Sequence, residues 1–505
     1  MVYRAVLSLL FLCAAVWAAP AKESPSVDEK LGFVAPMPGR STSAAQLQVL
    51  ARLPMDYRFH RGVLYLDGVR LTKTPVVVRA RWWAGKGVDL IATVDLSGVE
   101  RGWHQLRADL QPTKKGEMVI GTEGASRADS IEADFFFNPR PHKVHIKLVD
   151  EDGQPRHGRI MVHSEDGEPI GMGDVSDEPA DPTGRDRVRA LHAVAPSGLN
   201  LLAEPGRYML TASGGVRDGV DVQTVDVDTD TRLVFTVPRV IETPDELTAD
   251  LHVHTALSSD AFISDTDRFG AMVAADVDVG VITDHNRIRD PKPALDMLEL
   301  TDEVDLVAGV EFRIGPAGES IGHGNAFPLQ PGVKVVKPGT RAPGEVFDAW
   351  RLHHQAHPIP GDKTPLLIQL NHPRGIQFWP DKAHRTDAHG LFEELQFKRE
   401  LPLELQSDER FLKHLKSNNK SIISFDAIEV LNRFSIAGWR AVRLDWFALL
   451  NRGHRITGTG NADSHSSQLE AIGFPVNLVE AHAGDTGGFV EAIRSGKVRV
   501  SSGPL

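Results

Sequence analysis

Histidines and carboxylates fall in short ordered clusters through the second half of the chain: Asp250-Leu251-His252-Val253-His254, Thr283-Asp284-His285, Gly309-Val310-Glu311, Asn371-His372-Pro373 and Asn461-Ala462-Asp463-Ser464-His465. Imidazole and carboxylate are the usual ligands of divalent first-row metal ions. Side chains alternate in an extended segment, so His252 and His254 share one face about 7 Å apart along the strand. Two imidazoles can then grip one ion, and Asp463 with His465 repeats the spacing. With 21 histidines in 505 residues, about one His-x-His pair is expected by chance. Several strand ends that each deliver His, Asp or Glu are not. An ion held this way lowers the pKa of bound water towards about 7, and a neighbouring ion polarises an electrophilic oxygen, so the expected chemistry is hydrolysis.

The elements that carry these clusters are apolar runs at Ala249 to Val253, Val279 to Thr283, Val304 to Val310, Leu366 to Leu370, Ala427 to Leu431, Ile456 to Gly460 and Pro475 to Val479. Helix-like stretches such as Arg268 to Ala275 and Gly344 to Gln355 lie between several of them. Strands alternating with helices predict a parallel sheet, and seven in one run favour a barrel, whose active site forms at the carboxyl ends of the strands. Every cluster above sits at such an end. Residues 56–140 and 141–240 read differently, as short period-two segments broken by Gly, Asp and Lys turns, and predict two β-sandwiches. In the second, the "DEDGQP" turn and the "EPGRYMLTAS" strand look like a carboxypeptidase-regulatory or transthyretin-like module. Residues 22–55 read as a linker or strap.

The order "DLHVHT", "TDH", "GVEF", "NHP" and "ADSH" across residues 245–505 resembles the PHP (polymerase and histidinol phosphatase) superfamily, specifically its CehA/McbA-like metallohydrolase branch. That resemblance implies a distorted (β/α)7 barrel with two or three divalent ions, Mn, Zn or Fe. It implies that His252, His254, Glu311 and Asp463 hold a first ion, and that Glu311 bridges to a second ion held by His323 and His372. A third ion would use Asp260, His285 and His465. Asp260 and His323 are expected in loops. A carboxylate bridge suits Glu311, because two cations about 3.5–4 Å apart repel unless an anion lies between them.

His465 or Asp284 is expected to protonate the leaving group, with Asp284 alternatively orienting an imidazole. Arg374 and Arg433 can face a phosphoryl oxygen, which favours phosphoesters. Phe378, Trp379, Phe392, Phe397, Phe434 and Trp439 can line a pocket for an aryl carbamate or carboxyl ester, or can pack on the barrel. A non-catalytic glycan-binding or metal-binding protein of the cell envelope is the reading from another class. His353, His354 and His357 lack the Glu of an HExxH motif and read as an ordinary helix face.

Residues 1–21 have a basic start, an apolar run too short to span a bilayer and small residues at the end, as in an export signal. The expected location is periplasmic or secreted, with no membrane span after cleavage. The sole cysteine, Cys13, lies inside that signal, so the exported chain would have no disulfide. A net charge of −12 and the lack of a basic run disfavour nucleic acid as the main partner and leave a small-molecule substrate.

Overall fold

The computed structural model describes residues 32–35, 41–42, 46–54, 60–71, 76–80, 87–96, 98–112, 129–137, 142–170, 172–174, 188–189, 191–258, 260–261, 263–315, 320–337, 343–375, 390–406, 422–433, 435–465 and 472–503. The chain is multidomain and mostly β-sheet, with few helices. The expected export signal lies outside the described residues. Among the described residues no helix is long and apolar enough to cross a membrane.

The first unit pairs a four-stranded sheet with a five-stranded one. Its core follows strict alternation: Leu47, Val49, Ala51 and Leu53, flanked in the same sheet by Val88 and Leu90, cluster with Leu106, Ala108 and Phe135 of the other sheet, all buried. Part of residues 22–55, read as a linker or strap, is built into this unit. Gln46–Pro54 is a nine-residue strand paired along its whole length with Gly87–Asp95. The period-two pattern beginning at Leu47 is masked upstream by Pro and Ser residues.

The second unit, from His142 to Thr236, is again two sheets, one of five strands and one of four. Val144, Ile146, Leu148, Ile160, Val162, Leu210 and Phe235 fill the space between them. Each such side chain contributes about 1.5–3 kcal/mol on leaving water. The Asp150 turn is set by its own carboxylate, whose Oδ1 accepts from the backbone N–H of Asp152 (3.0 Å) and Gln154 (2.8 Å), with Gly153 at φ 78°.

Among its described residues the C-terminal unit has ten strands in two five-stranded sheets where the sequence predicts seven. In one sheet Asp305–Ala308, Val279–Ile282 and Leu247–Val253 run parallel, and Val476–Val479 lies antiparallel between Leu247–Val253 and Val498–Ser501. In the other, Val310–Ile314, Gly322–Phe327 and Leu367–Asn371 are antiparallel, while Leu367–Asn371, Ala427–Asn432 and Thr457–Asn461 are parallel. The expected strand ending in Glu311 breaks at Gly309, whose close approach to the Ala326 carbonyl leaves little room for a side chain. Parallel bridges Val253–Ser464 and His285–Glu311 join the two sheets where the clustered residues lie. Six α-helices serve these ten strands among the described residues, so one helix per strand is not observed.

The second sandwich packs on the helix Asp265–Ala274, which Ser264 caps by accepting from the Asp267 N–H at 3.1 Å. Beyond its end, Asp276 accepts from Arg217 Nε (2.6 Å) and from Arg239 Nη1 (2.7 Å) and Nη2 (3.1 Å). Arg217 also reaches Asp278 at 2.9 Å. Arg159 of the sandwich lies over the Phe474 ring, 4.3 Å from its centroid, and bonds the Ile472 carbonyl. Gly215 tolerates no side chain, because a Cβ would stand 2.3 Å from the Ala275 carbonyl oxygen.

Burial works to raise the Asp276 pKa, but the bonds from Arg239 and Arg217 outweigh it and hold the carboxyl below its ordinary value. A depressed carboxylate stabilises the fold above its unfolded pKa of about 4, and that contribution disappears as pH falls through the lower folded value. Asp276→Ala should therefore lower stability by about 2–4 kcal/mol at pH 7, somewhat under the figure for a fully buried pair because both arginines keep some exposure. The deficit should shrink below pH 4. Denaturant unfolding at pH 7 and pH 3.5 checks this, and an equal loss at both would refute the assignment.

Candidate metal centre

Strand geometry brings nine dispersed residues to one place. His252 and His254 leave the end of Leu247–Val253 with ring centroids 5.1 Å apart. Glu311 is the second residue of Val310–Ile314, and His323 stands opposite Arg313 in the antiparallel register, on a strand rather than in the expected loop. His323 in turn pairs with Asn371, so His372 follows one residue beyond. His372 (φ 26°) and Asp463 (φ 45°) occupy left-handed backbone just past their strands, a conformation uncommon outside glycine. Such strained corners persist where surrounding contacts over-determine them.

Glu311 lies at the centre, 1% exposed. Its Oε1 faces His252 Nε2 (3.3 Å), His323 Nδ1 (3.3 Å) and His372 Nε2 (3.4 Å). Its Oε2 faces His254 Nε2 (3.3 Å) and His285 Nε2 (3.2 Å). Asp463 Oδ1 stands 3.3 Å from the Nε2 of both His252 and His254. On the open side, Asp260 Oδ2 lies 3.2 Å from His285 Nε2 and 3.4 Å from His465 Nε2, with the Asp260 side chain 45% exposed.

These atoms fit divalent cations. Bonds of about 2.0–2.2 Å to nitrogen and oxygen place two ligands of one tetrahedral ion about 3.3–3.6 Å apart, the spacing seen around His252 and His254. The Nε2 atoms of both are buried and have no hydrogen-bond partner among the described residues. Four ligand triads converge within 4.8 Å: His252-His254-Glu311, His254-Asp463-His465, His254-Asp260-His285 and His285-Glu311-His323.

Electrostatics point the same way. Burial alone would lower the His252 and His254 pKa values, yet Asp463 and Glu311 raise His252 well above its ordinary value and His254 to about 9. Burial opposes the ionised forms of Glu311 and Asp463, but the surrounding imidazoles, joined at Asp463 by the Arg433 guanidinium, hold both carboxyls well below the usual range. The cluster demands positive charge, and without metal it takes protons. His323 and His465 are pushed down, chiefly by burial.

Other polar groups hold the ligands in place. Asp284 accepts from the Thr255 N–H (2.6 Å) and Oγ1 (2.7 Å), tying down the segment after His254. Its carboxylate is thereby engaged by Thr255, in place of the imidazole it was expected to orient. Arg374, expected to face substrate, instead spends its donors on Asp445 (2.6 and 2.8 Å) and the carbonyls of Phe392 and Phe397. The buried Asp445 carboxylate, on the helix Ile436–Leu450, captures it. Arg433 lies nearer the cluster, with Nη2 3.3 Å from Asp463 Oδ2 and 3.1 Å from His465 Nδ1.

The sequence reading missed Arg268 and Glu429. Arg268 is fully buried and donates to the His254 carbonyl (2.8 Å), Ser464 Oγ (2.7 Å) and the Ser464 carbonyl (2.9 Å), clasping two ligand-bearing segments. It lies on the helix that the second sandwich packs against. Glu429 lies 3.1 Å from His252 Nδ1. Phe392 and Phe397 are buried in the hydrophobic core rather than lining a pocket, and Phe378, Trp379 and Phe434 lie outside the described residues. Trp439 lies under the Arg443 guanidinium. His353, His354 and His357 each bond a backbone carbonyl at 2.7–3.0 Å on or beside their helix.

No family model matches the chain, and no curated protein matches it. Among solved structures, the fimbrial protein FimP from Actonomyces oris is 10% identical over 39% of this chain and 60% of its own, with a TM-score of 0.14. This chain thus matches about three fifths of that protein's length. The titin Ig tandem A164-A165 is 8% identical over 42% and 96%, with a TM-score of 0.13. The Ig1-2 module of Drosophila receptor protein tyrosine phosphatase DLAR is 9% identical over 39% and 93%, with a TM-score of 0.14. Scores this low carry no argument about the architecture or the activity of this chain.

Proposed function

We propose that this chain is an exported metal-dependent hydrolase of the PHP type, acting on a phosphoester. The observation that carries the reading is the Glu311 carboxylate ringed by five imidazoles at 3.2–3.4 Å, with Asp463 and Asp260 completing the donor set. Strands from both sheets reach this ring, and the bridges Val253–Ser464 and His285–Glu311 support reading the two sheets as one distorted barrel. The β units are its scaffold, and the periplasm or the exterior is its location.

His252, His254, Glu311 and Asp463 would hold one ion, Glu311, His323 and His372 a second, and Asp260, His285 and His465 a third. Bound there, such ions acidify water to about pKa 7 and polarise an electrophilic oxygen. The protein's own contribution is orientation. Asp284 and Arg268 fix the segments that carry His254 and His465. Arg433, beside Asp463 and His465, can donate to a substrate anion, which favours a phosphoryl group over a neutral carbamate. His465 lies on the open side of the cluster beside Asp260, where burial keeps its imidazole uncharged and suited to holding a cation.

Metal analysis alongside assays with p-nitrophenyl phosphate, bis-p-nitrophenyl phosphate, p-nitrophenyl acetate and 1-naphthyl methylcarbamate tests the proposal. Phosphoester turnover is expected. Turnover of the carbamate or acetate alone would replace the substrate class, and bound metal without turnover would replace the enzyme reading with a binding protein. His254→Ala and Glu311→Ala should each remove metal and lower activity by at least about 100-fold, or about 2.7 kcal/mol in the barrier, while circular dichroism stays unchanged. Undiminished turnover in a folded variant would refute the site. Because His254 holds its proton up to about pH 9 in the metal-free chain, an incoming ion must displace that proton. Apparent metal affinity should therefore climb as pH rises from 6 towards 9, and equilibrium dialysis showing a flat profile would contradict this.

A further inference from the structure

The strand Ala427–Asn432 carries a carboxylate with no place in the ligand set above. Glu429 is 1% exposed, and donors surround it. Its Oε1 lies 3.1 Å from His252 Nδ1 and accepts from Asn461 Nδ2 at 3.0 Å. Its Oε2 accepts from the backbone N–H of His372 at 2.8 Å and from Asn432 Nδ2 at 2.9 Å. Asn432 Nδ2 also lies 3.1 Å from Asp463 Oδ2. One buried side chain therefore touches His252 and His372 directly and reaches Asp463 through a single amide.

The chemistry of these contacts is directional. Three N–H donors, from Asn461, His372 and Asn432, already point at the two Glu429 oxygens, so this carboxyl group acts as an acceptor and the proton between it and His252 sits on Nδ1. The Nε2 of His252 is thereby the atom left for a cation, and it is the atom that faces Glu311 and Asp463. At His372 the same carboxylate receives the N–H of a residue at φ 26°, pinning the left-handed corner from which that imidazole reaches Glu311. Residues that orient metal-bound imidazoles in this way typically alter metal affinity 10–100-fold when replaced.

We propose that Glu429 is a positioning residue for the metal centre, fixing the tautomer of His252 and the backbone corner of His372 so that one carboxylate sets ligands of two ions. The assignment rests on the metal-centre reading and predicts a particular failure in Glu429→Gln. An amide offers one oxygen and one NH2 group. In one orientation the NH2 opposes the His372 N–H and the Asn432 amide. In the other it opposes His252 Nδ1 and drives the imidazole proton to Nε2, where the cation should bind.

The test uses the full chain stripped with chelator and titrated with Zn2+ against a chromogenic competitor, together with long-range 1H–15N correlation spectra of the 15N-histidine-labelled, Zn2+-loaded protein. Glu429→Gln should bind Zn2+ 10–100-fold more weakly than wild type, and wild-type His252 should show its proton on Nδ1. A wild-type chain that takes up no Zn2+ overturns the metal-centre reading and this assignment with it. Wild-type uptake matched by Glu429→Gln within twofold overturns the assignment alone, even if the variant melts earlier, since that would be a purely structural role. The wild-type spectrum stands independently of whether the variant folds: a proton on Nε2 of His252, or none on Nδ1, also overturns the assignment.

Discussion

An anion at the centre of a buried ring of imidazoles sets the terms for the C-terminal unit. Removing a carboxylate from water carries a penalty of several kcal/mol unless opposite charge lies beside it, and Glu311 has almost no solvent contact. Five imidazoles surround it, and Asp463 and Asp260 add further negative charge at the edges. Positive charge must therefore enter the ring, whether on protonated nitrogens or as bound cations. The second option satisfies more of the arrangement at once, because imidazole lone pairs and carboxylate oxygens then point at a common centre instead of competing for protons.

Convergence of this kind needs strands that end together. The two sheets touch through bridges beside the ligands, at Val253–Ser464 and His285–Glu311, so backbone pairing and ligand placement are one feature of the fold. Arg268 strengthens the first junction by binding the backbone on both sides of it. Beneath the ring the polar layer continues: Asn371 Nδ2 donates to Glu311 Oε1 at 2.9 Å and to Asn325 Oδ1 at 2.8 Å, and Gln369 bonds Asn371 at 3.0 Å. Amides in this layer restrict the rotation of Glu311 about its own axis, where an apolar core would leave it free.

The parts of the site that were legible in the sequence share one property: they sit at the ends of apolar runs. His252, His254, Glu311, His372 and Asp463 follow hydrophobic stretches whose length marks a buried strand. His323 does not, because Gly322-His323-Gly324-Asn325-Ala326-Phe327 has no β-branched residue and two glycines, so propensity hides a strand that tertiary pairing creates. Glu429 escaped for the opposite reason, since it lies inside the apolar run Ala427 to Leu431 rather than at its end, where the legible ligands sit. Arg268 enters the sequence reading only as the first residue of a helix-like stretch. Arg374 illustrates the converse limit: its nearness in sequence to His372 said nothing of Asp445, seventy-one positions away, which captures it.

The seam between the second sandwich and the helix Asp265–Ala274 bears on how the chain can be divided. Arg159 covering Phe474, Gly215 pressed against the Ala275 carbonyl, and Arg217 and Arg239 gripping Asp276 are all supplied from upstream of residue 240. An expression boundary drawn there would strip the helix of its cover and leave two aspartates facing water in place of guanidinium groups. Fragments meant to isolate the histidine-rich part should begin near residue 140, keeping that β unit as the cover of the helix rather than trimming it as a tag.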